Sequence, residues 1–303
     1  MFLLPLASLM LASTDLPAID GDFWTVATSP DLGPEVSTPN QQPVDFSIWK
    51  AADGTWQLWS CLRGTKIGGT GRVLIGWEGQ SLTDRDWAFK GIQMDGLPEY
   101  GETQGGLQAP HVFRNGSQYW MAYGDWNNIC FATSNDGKRF DRVVRPHGKT
   151  GAFSEGPGAN TRDAMVLTIG RLWHCYYTAM PHNQGVVYCR TSRDLGNWSE
   201  PTAVAFGGEA GTNQWSSECP HVVKLGSDFY LFKTQAYGEG AVTRVYRSKN
   251  PLMFGINQDP QYLVGSLPVA APEIVFDGGR VYLACLRPDL KGIQIARLNW
   301  VDR

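Results

Sequence analysis

The sequence predicts an all-β fold built from five copies of one unit, because two markers recur along the 303 residues with the same period. The first marker is a glycine turn before an aromatic run, and its positions are Gly54, Gly116, Gly170, Gly226 and Gly278, spaced 62, 54, 56 and 52 residues apart. The second marker is a serine followed six residues later by Trp or Phe, and its positions are Ser81, Ser134, Ser192 and Ser248, spaced 53, 58 and 56 residues apart. A fixed period of this length indicates a repeated supersecondary unit.

Each repeat has the pattern of four short strands. An apolar run, a tight turn, an aromatic run and a third β-rich run come first, and a polar turn then closes on the serine marker. The 35 Gly and 18 Pro residues suit many turns and short strands, and helical periodicity is hard to find. Because a four-stranded blade of about 40 to 50 residues is typical of β-propellers, we predict a five-bladed β-propeller.

The fifth repeat contains only three evident strands, at 273–276, 280–286 and 292–299. We predict that the N-terminal segment 23–28 supplies the fourth strand, which closes the ring and removes an exposed edge. Residues 21–303 would then form a single propeller domain.

Residues 1–20 are predicted to be a signal peptide or an N-terminal arm packed against the domain. Their apolar part is too short to span a bilayer, and it resembles a small signal-peptide core. We therefore expect an extracellular or periplasmic protein, with a cytoplasmic location as the alternative. No other segment is predicted to cross a membrane.

Charge and cysteine content narrow the class of ligand. The net charge of −3 and the lack of a basic run predict no positively charged surface that would bind nucleic acid. The six cysteines form no CxxC pair and no zinc-ligand spacing, so we predict no metal ligands and no cofactor, although a structural ion or a water molecule would fit the central channel. A neutral, polar small ligand suits this balance.

The residues just before the first strand of each repeat should converge at one end of the channel. Each repeat carries a titratable group there: Asp45, His111, Asp163, Glu218 with His221, and Glu273. Charged residues are only 18% of the chain, so chance placement would seldom give this pattern. Such a set suits glycosidic bond cleavage, in which one carboxylic acid protonates the leaving oxygen and a second carboxylate attacks the anomeric carbon or activates water.

Two motifs resemble those of known glycoside hydrolases. Arg162-Asp163 resembles the Arg-Asp motif of glycoside hydrolase family 32, and Glu218-Cys219 resembles the Glu-Cys motif of that family. The separations 218 − 163 = 55 and 163 − 45 = 118 are similar to the layout of families 32 and 43, five-bladed propellers that act largely on furanosides. The resemblance implies Asp45 as nucleophile (in family 43, general base), Asp163 as transition-state stabiliser and Glu218 as acid/base. Arg162 would bind substrate hydroxyls.

The chain also departs from the family-32 pattern. Of the Asn-Asp-Pro-Asn-Gly signature of that family, only the Asp is present, as Asp45. Ala164 replaces the usual Pro after Arg-Asp. No residues remain for the C-terminal β-sandwich that family 32 generally carries, and a single domain is more typical of family 43. Family 43 enzymes invert the anomeric configuration and family 32 enzymes retain it. The distance between the Asp45 and Glu218 carboxyl groups should therefore be about 6.5 to 9.5 Å for inversion and about 5 Å for retention.

Further side chains are candidates for substrate binding: His111, His221, Glu273, Trp49 and Trp215, the two Trp residues because indoles stack on sugar rings. The leading prediction is a glycoside hydrolase that cleaves a fructosyl or arabinosyl furanoside in an oligosaccharide or glycoside. One alternative is a hydrolase for a galactoside or anhydrosugar with a His acid. The other is a non-catalytic carbohydrate-binding propeller.

Overall fold

The structure is a computed structural model that describes residues 16–301 as five antiparallel sheets arranged in a ring. The predicted five-bladed β-propeller is confirmed. In chain order the strands are β1 (Leu16–Thr28), which belongs to blade 5; β2 (Gln42–Lys50), β3 (Trp56–Arg63), β4 (Val73–Gly79) and β5 (Ala88–Met94) of blade 1; β6 (Gln108–Asn115), β7 (Gln118–Gly124), β8 (Ile129–Ser134), β9 (Asp141–Arg142) and β10 (Gly151–Phe153) of blade 2; β11 (Arg162–Ile169), β12 (Leu172–Ala179), β13 (Val186–Ser192) and β14 (Thr202–Ala205) of blade 3; β15 (Glu218–Leu225), β16 (Asp228–Ala236), β17 (Val242–Ser248) and β18 (Leu263–Leu267) of blade 4; and β19 (Glu273–Asp277), β20 (Arg280–Leu286) and β21 (Gly292–Val301) of blade 5.

The N-terminal strand closes the ring, as predicted. Strand β1 pairs antiparallel with β21, so blade 5 has the order β1-β21-β20-β19. The strand begins at Leu16, so residues 16–20 belong to the blade rather than to the preceding segment, whereas the apolar stretch before them lies outside the described residues. Strand β1 also contacts blade 1. Trp24 Nε1 donates a hydrogen bond to Leu82 O at 2.8 Å, and the Trp87 amide donates one to Val26 O at 2.8 Å.

The serine marker forms a turn that places an aromatic side chain between blades. Ser134 Oγ accepts a hydrogen bond from the Gly137 amide at 2.8 Å. After this turn Phe140 packs edge-on against Trp49 and Trp59 of blade 1, with ring centroids 5.9 and 5.2 Å away. The repeated marker is therefore part of the packing between neighbouring blades.

Helical structure is confined to short connections among residues 16–301: the 3₁₀ turns Pro98–Tyr100, Pro181–Asn183, Gly208–Ala210 and Gly238–Gly240, and the helix α1 (Asp259–Tyr262). No helix in this described part of the chain has the length and apolar character needed to cross a membrane. The strands β2, β6, β11, β15 and β19 are the innermost of their blades and line the central channel. We call the end of the channel where these strands begin the upper end.

Candidate active site

Five non-glycine residues with positive φ, one per blade, form a ring at the upper end of the channel. They are Asp45 (44°), Ala109 (46°), Asp163 (57°), Cys219 (46°) and Ala271 (49°). In the first four blades, the register with the second strand is broken at or next to this residue. Such bulges re-aim side chains, and left-handed backbone at a non-glycine residue costs about 1–3 kcal/mol. All five residues line one narrow space of about 20 Å³, roughly the size of one water molecule.

Two of the predicted carboxylates meet in this ring. One ligand atom each from Asp45, Asp163 and Cys219 lies within 4.8 Å of the other two. The Cys219 thiol donates a hydrogen bond to Asp45 Oδ1 at 3.2 Å, and the Cys219 amide donates one to Asp163 Oδ2 at 3.0 Å. The three side chains are close enough to share one metal ion, but these hydrogen bonds account for their arrangement without one.

Asp163 is the buried member of the pair. Burial raises the pKa of its carboxyl, the charge of Arg162 opposes this, and the charges of Asp45 and Glu218 raise it further, to about 8. Its Oδ1 atom is buried and has no hydrogen-bond partner among the described residues. At neutral pH Asp163 is therefore a neutral acid, which is able to donate a hydrogen bond to a ligand hydroxyl.

Glu218 and Arg162 occupy equivalent positions in neighbouring blades, each directly before a ring residue, and they form an ion pair. Arg162 Nη1 also donates to Asn160 O at 2.9 Å, and its Nε lies 3.7 Å from Asp163 Oδ2. The Arg162 guanidinium therefore contacts both Glu218, the predicted acid/base, and Asp163, the predicted stabiliser. Its Cζ atom lies 5.6 Å from the ring centre of Trp215, which is 50% exposed and so keeps a face available for stacking.

Sequence reasoning misses the roles of Cys219 and Tyr237. The Tyr237 hydroxyl lies 3.2 Å from Cys219 Sγ, and burial raises the pKa of both groups, so both remain protonated. The repeat does identify Cys219, because it lies 219 − 163 = 56 residues after Asp163, within the range of the marker spacings. Tyr237 lies in the connection after β16, and no periodic feature identifies it.

His111, His221 and Glu273 lie one layer deeper, each two residues beyond the ring position of its blade. The Nδ1 atoms of His111 and His221 lie 3.9 and 3.5 Å from the two carboxylate oxygens of Glu273. Burial alone would raise the pKa of Glu273, but the charge of His221 and the two nearby imidazoles outweigh it and lower the pKa to about 2. These predicted substrate-binding residues thus form their own cluster, which we call the His-Glu-His layer.

Trp49 lies outside the narrow space at the upper end of the channel, and its contact with substrate stays a prediction. Its side chain is 6% exposed, its Nε1 donates to Gly137 O at 2.7 Å, and its ring packs against Trp59 and Phe140. These contacts pack the indole between blades 1 and 2, and the residue also borders a second cavity in the lower part of the channel.

Comparison with known proteins identifies the fold. No protein-family model matches the chain, and no curated protein matches it. Among solved structures, an endo-arabinase from Bacteroides thetaiotaomicron superposes with a TM-score of 0.63 and 13% identity, covering 92% of this chain and 97% of that chain. A thermostable family-43 glycoside hydrolase gives a TM-score of 0.60 and 15% identity, with coverages of 86% and 90%.

A family-32 β-fructofuranosidase from Bombyx mori is also similar, with a TM-score of 0.56 and 16% identity over 90% of this chain and 61% of that chain. The chain therefore has the five-bladed propeller fold of families 43 and 32, as its two motifs predicted.

Proposed function

We propose that the protein is a glycoside hydrolase that uses Asp45, Asp163 and Glu218 to cleave a furanosidic bond. One observation carries the proposal: the Asp45 and Asp163 carboxylates converge within 4.8 Å at the upper end of the channel, and Glu218 adjoins them through Arg162. Similar solved structures that are glycoside hydrolases support it.

The surroundings of each carboxyl group support a different role. Asp45 is partly exposed and accepts a hydrogen bond from the Cys219 thiol, which suits a carboxylate that attacks the anomeric carbon or activates water. Asp163 is the neutral acid that would hold a sugar hydroxyl and strengthen that bond in the transition state. Glu218 is the proton donor to the leaving oxygen, and Arg162 and Trp215 bind the sugar beside it.

The substrate class is a fructosyl or arabinosyl furanoside within an oligosaccharide or polysaccharide. The endo-arabinase and the β-fructofuranosidase among the similar structures support this class. The apolar N-terminal stretch of the sequence supports a location outside the cytoplasm, where polysaccharides are degraded.

The proposal is tested by release of product from a panel of arabino- and fructo-oligosaccharides and 4-nitrophenyl furanosides. We expect turnover by the wild type, and a loss of about 10³-fold or more in kcat for Glu218→Gln and for Asp45→Asn with melting temperatures unchanged. Proton NMR of the first product anomer then distinguishes inversion from retention. Saturable binding without turnover on every substrate would instead identify a carbohydrate-binding propeller and overturn the proposal.

A further inference from the structure

The lower part of the channel holds a second cavity that the proposed reaction does not use. It has a volume of about 570 Å³, within the range typical of small-molecule sites. Its walls are largely aliphatic and aromatic and include Phe113, Val223 and Ile274. Asp45, Asp163 and Glu218 do not line it, and the narrow space of about 20 Å³ lies on the upper side of the His-Glu-His layer.

The lower rim of this cavity is positively charged because three blades carry a cation at the same position. Lys50, Arg114 and Lys224 each follow the ring residue of their blade by five residues (50 − 45, 114 − 109 and 224 − 219), and all three line the cavity. Lys50 lies 3.6 Å from Asp277. Within residues 16–301, neither Arg114 nor Lys224 forms an ion pair with a carboxylate; each lies over an aromatic ring instead. Arg114 Nε and Nη2 also donate to Gly116 O at 3.4 and 3.2 Å, so Nη1 of Arg114 and the ammonium group of Lys224 are the cationic groups open to an anion.

The upper boundary of the cavity contains polar atoms that lack hydrogen-bond partners among the described residues. His111 and His221 are buried, with 7% and 5% of each residue exposed, and their Nδ1 atoms have no hydrogen-bond partner among the described residues. Both rings line the cavity beside Glu273, whose carboxylate oxygens are 3.9 and 3.5 Å from these nitrogens. A neutral hydroxyl could bond to this group, whereas the charge of Glu273 would repel a carboxylate.

The two polar ends are separated by a fixed length. From His111 to Arg114, and from His221 to Lys224, the chain advances three residues, which is about 10 Å between the backbone positions of the two ends along a strand. A rigid ring with an acid at one end and a hydroxyl at the other spans such a distance. Aromatic and β-branched side chains between the two ends suit a flat apolar body.

We propose that the lower cavity binds an aryl carboxylate with a hydroxyl group at the opposite end of its ring, a phenolic acid. The carboxylate pairs with Arg114 and Lys224, the ring lies against the walls, and the hydroxyl meets the His-Glu-His layer. This site is separate from the proposed site of glycosidic cleavage and does not depend on that activity.

Isothermal titration calorimetry with 4-hydroxycinnamate tests the proposal, with two analogues that each remove one end. We expect saturable one-to-one binding of 4-hydroxycinnamate, binding weaker by about tenfold for 4-hydroxycinnamamide because the charge is lost, and weaker binding of cinnamate because the hydroxyl is lost. Equal affinity for all three compounds, or no heat at millimolar concentration, would overturn the proposal.

Variants of the rim locate the ligand. The double substitution Arg114→Ala with Lys224→Ala should weaken 4-hydroxycinnamate binding by about tenfold or more and abolish the preference over the amide. Lys249→Ala, an exposed cation that does not line the cavity, is the matched control and should bind like the wild type. Undiminished binding by the double variant contradicts the proposed site.

A third variant separates the two proposals. Asp45→Asn removes the proposed nucleophile or base at the upper end, and it should bind 4-hydroxycinnamate with wild-type affinity. Intermolecular NOEs should reach the methyl groups of Val223 and Ile274. Loss of binding in Asp45→Asn, with NOEs absent from these methyl groups, would place the ligand at the upper end and overturn the inference.

Discussion

The Cys219 thiol lies 3.2 Å from Asp45 Oδ1 and donates a hydrogen bond to it, which connects blade 4 to blade 1 across the channel. Burial raises the pKa of Cys219, so the thiol keeps its proton and stays a donor. The Tyr237 hydroxyl, 3.2 Å from the same sulfur, completes a short chain of polar groups behind Asp45. The proposed nucleophile or base is thus held by a neighbour from the Glu-Cys motif.

We predict that Cys219→Ala lowers kcat/KM by about tenfold. The reason is that Asp45 loses a hydrogen-bond donor that holds its carboxyl group in position. Cys219→Ser retains a donor and should stay close to the wild type. The measurement is kcat/KM of the three proteins on the best furanoside. An unchanged kcat/KM in Cys219→Ala would mean that the thiol does not act on Asp45.

We predict that Asp163 makes the wild type less stable as pH rises from about 4 to about 8. The folded-state pKa of about 8 lies above the ordinary value of 3.8, so in this range the folded chain holds a proton that the unfolded chain has released. The stabilisation is complete below pH 4 and is lost as pH rises through the folded pKa. Asp163→Asn should flatten this dependence, as measured by the melting temperature across the range. Parallel curves for the two proteins would contradict the raised pKa.

The period of the chain predicts the blades, but it does not predict the register of each site residue. The glycine and serine markers lie in turns that recur with little change, so the five blades, the ring and its closure by the N-terminal strand follow from sequence, whereas the fifth strand of blade 2 does not. The bulge at the ring position changes the direction of the chain within two residues. The ring positions in their blades are Ala109 and Ala271, two residues earlier in the chain, so His111 and Glu273, predicted beside Asp45, lie one layer deeper.

The sequence also does not predict which neighbours surround a given side chain. Trp49 and Trp215 are equally aromatic in sequence, but only the contacts of blade 2 show that Trp49 is enclosed. The sequence identifies Cys219 as part of a motif, but its contact with Asp45 depends on two blades that are far apart in the chain. Long-range contacts of this kind leave no periodic pattern within either segment.

Closure of the ring by β1 gives a prediction about stability. Deleting residues 1–28 should lower the melting temperature by about 10 °C or more, because it removes the pairing with β21, the buried Val26 and Ala27, and the hydrogen bond from Trp24. Asp20→Ala alters an exposed contact of the same strand and serves as control. Differential scanning calorimetry checks the comparison, and a truncated protein that melts with the wild type would contradict closure as a source of stability.

The two tryptophans should separate binding from packing. Trp215→Ala removes a half-exposed ring beside Arg162, so we predict that it raises KM by a few-fold to about tenfold, as expected for about 0.5–1.5 kcal/mol of stacking, with an unchanged melting temperature. Trp49→Phe loses a buried hydrogen bond and leaves a gap against Phe140, so it should lower the free energy of unfolding by about 1–3 kcal/mol with an unchanged KM. Steady-state kinetics and urea unfolding on both variants test the pair. If Trp215→Ala lowers the stability and leaves KM as it was, the indole is a structural group and the sugar binds elsewhere on the upper face.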